Sequence, residues 1–69
     1  MTNTDLLNKK IMESGLKKNF IAEQLGLTSY GLKLKTDNVN EFKASEISAL
    51  CDLLNIKTAK EKESIFFAD

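Results

Sequence analysis

Residues 21–32 read Ile21-Ala22-Glu23-Gln24-Leu25-Gly26-Leu27-Thr28-Ser29-Tyr30-Gly31-Leu32, and this stretch decides the fold. Ala22 is small at a point where two helices must cross closely, and Gly26, four residues later, allows a tight turn. Leu32, six residues further on, returns the following helix to the core. The spacing predicts two short helices within about residues 17–36, the second of which turns one side outward.

Helical periodicity continues along the rest of the chain. Leu7 and Ile11 lie four residues apart on one predicted face, and no alternating run is long enough to indicate a strand. The strongest apolar stripe follows the i, i+3, i+4, i+7 spacing and consists of Ile47, Leu50, Cys51 and Leu54. The predicted helices cover residues 4–14, 17–25, 28–37, 44–54 and 58–67. We therefore expect a single, compact, all-α domain of five helices over residues 1–69.

A four-helix core is expected from the apolar positions of these segments. Its predicted members are Leu7, Ile11, Phe20, Ile21, Leu25, Leu32, Phe42, Ile47, Leu50 and Leu54. Cys51 lies inside the strongest stripe, so we interpret it as a small buried core residue rather than a reactive thiol.

Composition excludes several classes of protein. A chain of 69 residues buries only about 60% of its unfolded surface. The sequence has no histidine and one cysteine, which leaves no set of nitrogen and sulfur ligands for zinc and no nucleophile–histidine pair. It also has no glycine loop of the kind that holds phosphates. We expect no enzymatic activity, no metal and no cofactor.

The same composition bears on location. No uninterrupted apolar run is long enough to span a bilayer, so we expect no membrane association. The first residues lack the basic and apolar segments of a secretory signal, which favours a cytoplasmic protein.

The net charge is zero, but lysines and acidic residues are unevenly distributed along the sequence. All ten positive charges are lysines, and residues 17–35 carry four of them against Glu23 alone. A local basic face can bind a polyanion, although the same lysines could equally be ordinary solvated side chains. The four are Lys17, Lys18, Lys33 and Lys35.

Motifs along nearly the whole chain resemble one known family. They are Ser14-Gly15-Leu16, Ile21-Ala22-Glu23, Leu25-Gly26-Leu27-Thr28, Leu32, Lys35, Glu41-Phe42-Lys43, Glu46-Ile47, Leu53-Leu54-Asn55-Ile56 and Ile65-Phe66-Phe67. In this order and spacing, from about residue 6 to 67, the sequence resembles the lambda-repressor-like, Cro-type helix-turn-helix family of small phage and Gram-positive bacterial regulators.

The resemblance implies a transcriptional regulator that binds operator DNA as a dimer, with the helix after Thr28 in the major groove. Ser29, Tyr30 and Lys33 are expected at base edges, while Lys18 stands where the family commonly has a phosphate-contacting glutamine. Asn38 occupies the family's usual glycine position. The predicted DNA-binding set is Lys17, Lys18, Thr28, Ser29, Tyr30, Lys33, Lys35 and Asn38.

Departures from the family pattern keep a second interpretation open. The predicted recognition helix has no arginine, glutamine or asparagine, the side chains that pair bidentately with base edges. Tyr30 could be a partly buried core aromatic or an exposed contact. The alternative function is an antirepressor-like modulator that keeps this fold but binds a phage repressor protein instead of DNA.

The C-terminal segment is a candidate dimerisation surface. Thr58 and Glu61 match a capping box at the start of a helix that ends in Ile65, Phe66 and Phe67. Two adjacent phenylalanines cannot both face one direction, so we expect part of this segment to contact a second copy of the chain. The alternative is that all three side chains close the core of the monomer.

Overall fold

Five helices follow one another along residues 1–68, the part of the chain that the computed structural model describes. They are α1 (Thr4–Ser14), α2 (Lys18–Gln24), α3 (Ser29–Thr36), α4 (Ala44–Leu53) and α5 (Ala59–Phe66). No strand occurs within these described residues. The predicted all-α, five-helix domain is confirmed, with helix ends that differ from the prediction by at most one residue.

Hydroxyl and amide side chains begin three of the helices. The side chains of Asn3, Thr28 and Thr58 accept hydrogen bonds from the backbone N–H groups of the first turns of α1, α3 and α5. Only half of the predicted capping box forms, because the Glu61 carboxylate pairs with Lys10 of α1 at 2.8 Å. This pair joins α5 to α1.

The end of α2 is set by the left-handed backbone of Gly26, whose φ is 72°. The N–H of Leu27 donates to the carbonyl of Ala22 at 2.8 Å, and the N–H of Gly26 donates to that of Glu23 at 3.1 Å. These two bonds form a Schellman motif. A Cβ at Gly26 would meet no atom within 4 Å, so the position requires glycine for its backbone conformation and not for space.

Asparagine takes the equivalent position at the ends of α3 and α4. Asn38 has φ of 66° and Asn55 has φ of 59°. Asparagine adopts this region more readily than most residues because its short polar side chain can bond locally. A left-handed backbone at Asn38 agrees with its place at the family's usual glycine position, whereas nothing in the sequence analysis points to such a turn at Asn55.

The core is built from one face of each helix. Its buried members are Leu7, Ile11, Ile21, Ala22, Leu32, Ile47, Leu50, Leu54, Ile56, Ile65 and Phe66. Leu25, Phe42 and Cys51 are partly buried against it. Phe20, which we expected to face inward, is 44% exposed. It is rotated by about 100° from its neighbour Ile21, which holds the inward position on α2.

Helix α3 packs mainly on α2 and also on α1, while α4 packs on α2 and α5 on α1. Ala22, which we predict to lie where α2 and α3 cross, is 1% exposed. None of the helices in residues 1–68 has the length and apolar character needed to cross a membrane.

Enlarging Ala22 tests this helix crossing. We expect Ala22→Leu to destabilise the protein by about 1–3 kcal/mol, because the added carbons have no space between α2 and α3. Thermal unfolding followed by circular dichroism measures the effect, with Ala59→Leu on exposed α5 surface as the control. Equal melting temperatures for the two variants would show that Ala22 is not at a close crossing.

Candidate nucleic-acid interface

Polar and basic side chains cover one exposed surface formed by the starts of α2 and α3 and the outer side of α3. We call this surface the α2–α3 face, and its members are Lys17, Lys18, Asn19, Thr28, Ser29, Tyr30 and Lys33, all of them exposed. Seven-residue α2 and eight-residue α3 present it on either side of the turn at Gly26.

The outer stripe of α3 carries Tyr30, Lys33 and Asp37 at i, i+3 and i+7. Tyr30 is 69% exposed, so the structure places it on the surface and not in the core. The opposite side of the helix is held by buried Leu32 and Thr36. Helix α3 therefore divides into an inward side that packs and an outward side that is free for a partner.

Ser29 and Asn19 join the starts of α3 and α2. The Ser29 hydroxyl donates to Asn19 Oδ1 at 2.6 Å, and the Asn19 amide nitrogen takes no part in this bond. Asn19 was not among the predicted site residues. Its only signal in the sequence is its position beside Lys18 in the first turn of α2.

A groove of about 370 Å³ lies between α1, α2 and α3 and brings several predicted residues together. Lys18, Ser29 and Lys33 line it, together with Asn19. The groove therefore places two lysines from different helices along one concave surface, and Asp37 lines it beside Lys33.

Thr28 and Gly31 shape the start of α3. Thr28 Oγ1 accepts from the N–H of Gly31 at 2.9 Å, so its remaining donor is the hydroxyl hydrogen. A Cβ at Gly31 would come within 3.2 Å of this oxygen. Glycine at this position avoids a close contact with the capping oxygen of Thr28. Its cost in helix propensity is up to ~1 kcal/mol relative to alanine.

Lys33 forms an exposed ion pair with Asp37, one helical turn later. The Nζ and Oδ2 atoms are 2.6 Å apart, and the two side chains are 69% and 39% exposed. The hydrogen bond to Asp37 raises the pKa of Lys33, so this lysine is fully charged at neutral pH. Exposed pairs of this kind are weak and can exchange partners, which leaves Lys33 available to a ligand.

Lys35 is not presented to the surface as predicted. Its Nζ lies 2.5 Å from Glu46 Oε1 on α4, and the two side chains are only 12% and 8% exposed. The same carboxylate oxygen accepts from the backbone N–H of Lys43 at 2.8 Å. Lys35 lies toward the inward side of α3, between Leu32 and Thr36, and this direction takes it to α4 instead of to a phosphate.

The environment of Glu46 keeps its carboxylate ionised. Burial opposes ionisation, but the hydrogen bonds from Lys35 and from the Lys43 backbone outweigh it and hold the pKa of Glu46 below its ordinary value of 4.5. The Glu46 carboxylate is therefore charged at neutral pH.

Asn38 is also committed within the protein. Its amide nitrogen donates to the carbonyl of Thr2, and its Oδ1 accepts from the Thr2 N–H, both at 2.8 Å. The Thr4 hydroxyl donates to the carbonyl of Thr36 at 2.6 Å beside it. The predicted DNA contact of Asn38 is replaced by a structural role, in which the turn after α3 holds the N-terminal segment.

The predicted dimerisation residues separate into two groups. Ile65 is fully buried and Phe66 nearly so, and the Phe66 ring packs edge-on against Phe42 with centroids 5.7 Å apart. These two residues close the core of the monomer, as the alternative interpretation expected. Phe67 is 56% exposed and is the only one of the three that the structure leaves on the surface.

Comparison of the chain with protein-family models, curated proteins and solved structures found no match. The resemblance to Cro-type regulators therefore remains an expectation from the sequence. The interpretation of the α2–α3 face depends on its own side chains and their contacts.

The two phenylalanines of α5 should respond differently to truncation. We expect Phe66→Ala to destabilise the fold by about 3–5 kcal/mol because it removes a buried ring. Phe67→Ala should leave stability within about 0.5 kcal/mol of the parent because the ring is exposed. Thermal unfolding separates them, and equal losses would place Phe67 in the core as well.

The pKa of Glu46 predicts a pH-dependent contribution to stability. A carboxyl group whose folded pKa is lowered stabilises the protein above its unfolded value, near 4.5, and this stabilisation is lost as pH falls through the folded pKa. We expect Glu46→Gln to cost about 1–3 kcal/mol at pH 7, because Lys35 loses its charged partner. Urea unfolding at a series of pH values should show the difference from the parent shrinking below pH 4.5. Exposed Glu23→Gln is the control, and a difference that is independent of pH would contradict the assignment.

Proposed function

We propose that this protein is a sequence-specific DNA-binding transcriptional regulator whose α2–turn–α3 unit acts as a helix-turn-helix. The observation that supports this most strongly is the α2–α3 face itself: the outer stripe of α3 is exposed, and Lys17 and Lys18 at the start of α2 are exposed as well. Such a regulator acts in the cytoplasm by covering a promoter.

The dimensions of α3 suit the major groove. A helix with its side chains is about 10–12 Å across, and the major groove is about 12 Å wide. The turn at Gly26 separates α2 from α3, and Ser29 and Tyr30 in the first turn of α3 are exposed. In this arrangement α2 lies over the DNA backbone while α3 enters the groove.

The exposed side chains divide into two roles. Ser29, Tyr30 and Lys33 lie on the outer side of α3 and would contact base edges, with Lys33 donating to guanine O6 or N7. Lys17 and Lys18 at the start of α2 would contact phosphates as point charges. Lys35 and Asn38 leave the predicted contact set, since both are bonded within the protein.

A single unit of this size offers little contact area, so we propose that it binds as a homodimer to two half-sites about 34 Å apart. Phe67 and Met1 are exposed and line one shallow cavity of about 120 Å³ next to Phe42. These apolar side chains are the candidates for self-association now that Ile65 and Phe66 are assigned to the core.

The exposure of Tyr30 favours a second candidate function. An aromatic ring that is 69% exposed on a chain of zero net charge is also suited to a protein interface. In that case the α2–α3 face binds a repressor protein, and DNA affinity with strong salt dependence is absent.

Selection of bound duplexes from random DNA at two salt concentrations, followed by size measurement of the free protein, distinguishes the two functions. A DNA-binding regulator enriches a two-fold motif and loses affinity as salt rises. Failure to enrich any sequence at low salt would reject DNA binding and leave the repressor-binding modulator.

Two lysines should affect DNA binding in different ways. We expect Lys18→Ala to weaken binding to all sequences alike and to reduce the slope of log affinity against log salt by about 1. Lys33→Ala should instead change the preferred base at one position. Quantitative binding to a panel of single-base variants of the selected site measures both, with exposed Lys57→Ala, which lies outside the α2–α3 face, as the control. Identical effects of the first two substitutions would contradict the division of roles.

A further inference from the structure

We propose that Lys35 and Glu46 are positioning residues for DNA recognition: their ion pair fixes the tilt of α3 against the start of α4. This inference rests on the proposed function. It replaces the phosphate contact that the sequence predicts for Lys35.

One carboxylate oxygen makes the connection. Glu46 Oε1 accepts from Lys35 Nζ in the last turn of α3 at 2.5 Å, and from the backbone N–H of Lys43 at 2.8 Å. Lys43 precedes the first residue of α4, and Glu46 is the third residue of that helix. The end of α3 and the beginning of α4 are therefore tied to the same atom.

The ion pair adds a contact of a different kind to the helix packing of α3. It packs on α2 and α1, whereas α4 packs on α2. On the other flank of α3, the Thr4 hydroxyl donates to the carbonyl of Thr36 at 2.6 Å. The ion pair supplies a direct polar link to α4, so the last turn of α3 is held from two sides.

The tilt of α3 controls where its outer side chains reach. Tyr30 and Lys33 are separated by one turn, and a rotation of the helix end changes their relative depth in a groove. The phosphate contacts of Lys17 and Lys18 come from α2 and do not depend on that rotation. Loss of the ion pair should therefore reduce sequence discrimination more than non-specific binding.

Glu46→Ala distinguishes a positioning role from a simple charge effect, because the two predict opposite changes in affinity for the selected DNA site. Removing an acid should strengthen binding to any DNA if only net charge matters. We expect instead that affinity for the selected site falls about tenfold, as for the loss of one base contact, while affinity for random DNA does not fall. Exposed Glu23→Ala is the matched control for removal of one acid.

Lys35→Met tests the same ion pair by removing its basic member. We expect it to lower the ratio of specific to non-specific affinity without changing the salt slope, whereas Lys18→Ala lowers the slope by about 1. Glu46→Gln, which keeps an acceptor for both donors, should retain more discrimination than Glu46→Ala. A reduced salt slope for Lys35→Met, with equal losses on all sequences, would assign Lys35 to a phosphate and overturn the proposal.

Amide hydrogen exchange provides a measurement that does not involve DNA. We expect Glu46→Ala to accelerate exchange in the last turn of α3 relative to α1, while Lys57→Ala, an exposed position outside α3, leaves that ratio unchanged. If Glu46→Ala does not fold, Glu46→Gln takes its place. Equal exchange of α3 in the variant and the parent would overturn the positioning role. Faster exchange together with no DNA binding by the parent would reject only the proposed function.

Discussion

The left-handed turn at Gly26 is the constraint on which the arrangement of α2 and α3 depends. A residue with a Cβ would spend roughly 1–2 kcal/mol to hold the φ of 72° found there. With glycine, the N–H of Leu27 reaches the carbonyl of Ala22, and Thr28 caps the next helix immediately. The chain thus reverses direction within a few residues. This short path brings Ser29 against Asn19 and creates the α2–α3 face.

The far end of α3 is held by a different kind of interaction. Lys35, Thr36 and Asn38 each bond to a distant part of the chain, on α4, α1 and the N-terminal segment respectively. Burying a charged pair such as Lys35–Glu46 costs desolvation energy that packed apolar residues would not cost. Such a pair instead restricts the orientation of α3 relative to α4, because the two charged groups reach bonding distance in only one relative placement of the helices. The fixed inner side leaves the outer stripe of α3 without any packing role.

Local signals were sufficient to predict the helices but not the partners of individual side chains. The caps at Thr28 and Thr58 and the apolar stripe of α4 each depend on residues a few positions apart, and all three are present. The prediction that Phe20 faces the core is wrong because adjacent apolar residues on α2 cannot share one inward face, and Ile21 occupies it. The sequence did not reveal the partner of Lys35, because Glu46 belongs to another helix and periodicity does not show which helices meet. Asn19 was missed for the same reason, since its partner Ser29 lies across the turn.

Ion pairs within the protein reduce the number of lysines that are available to contact a polyanion. Residues 17–35 contain four lysines, but Lys35 pairs with Glu46 inside the domain. Lys17, Lys18 and Lys33 remain on the α2–α3 face, where Lys33 forms an exposed pair with Asp37. If each contacts one phosphate, log affinity falls with log salt at a slope of about −0.9 per contact. Three contacts per protomer provide little non-specific affinity. Discrimination between sequences would then have to come from the outer stripe of α3 and from pairing two half-sites, and a fixed tilt of α3 is the part that we propose for the Lys35–Glu46 ion pair.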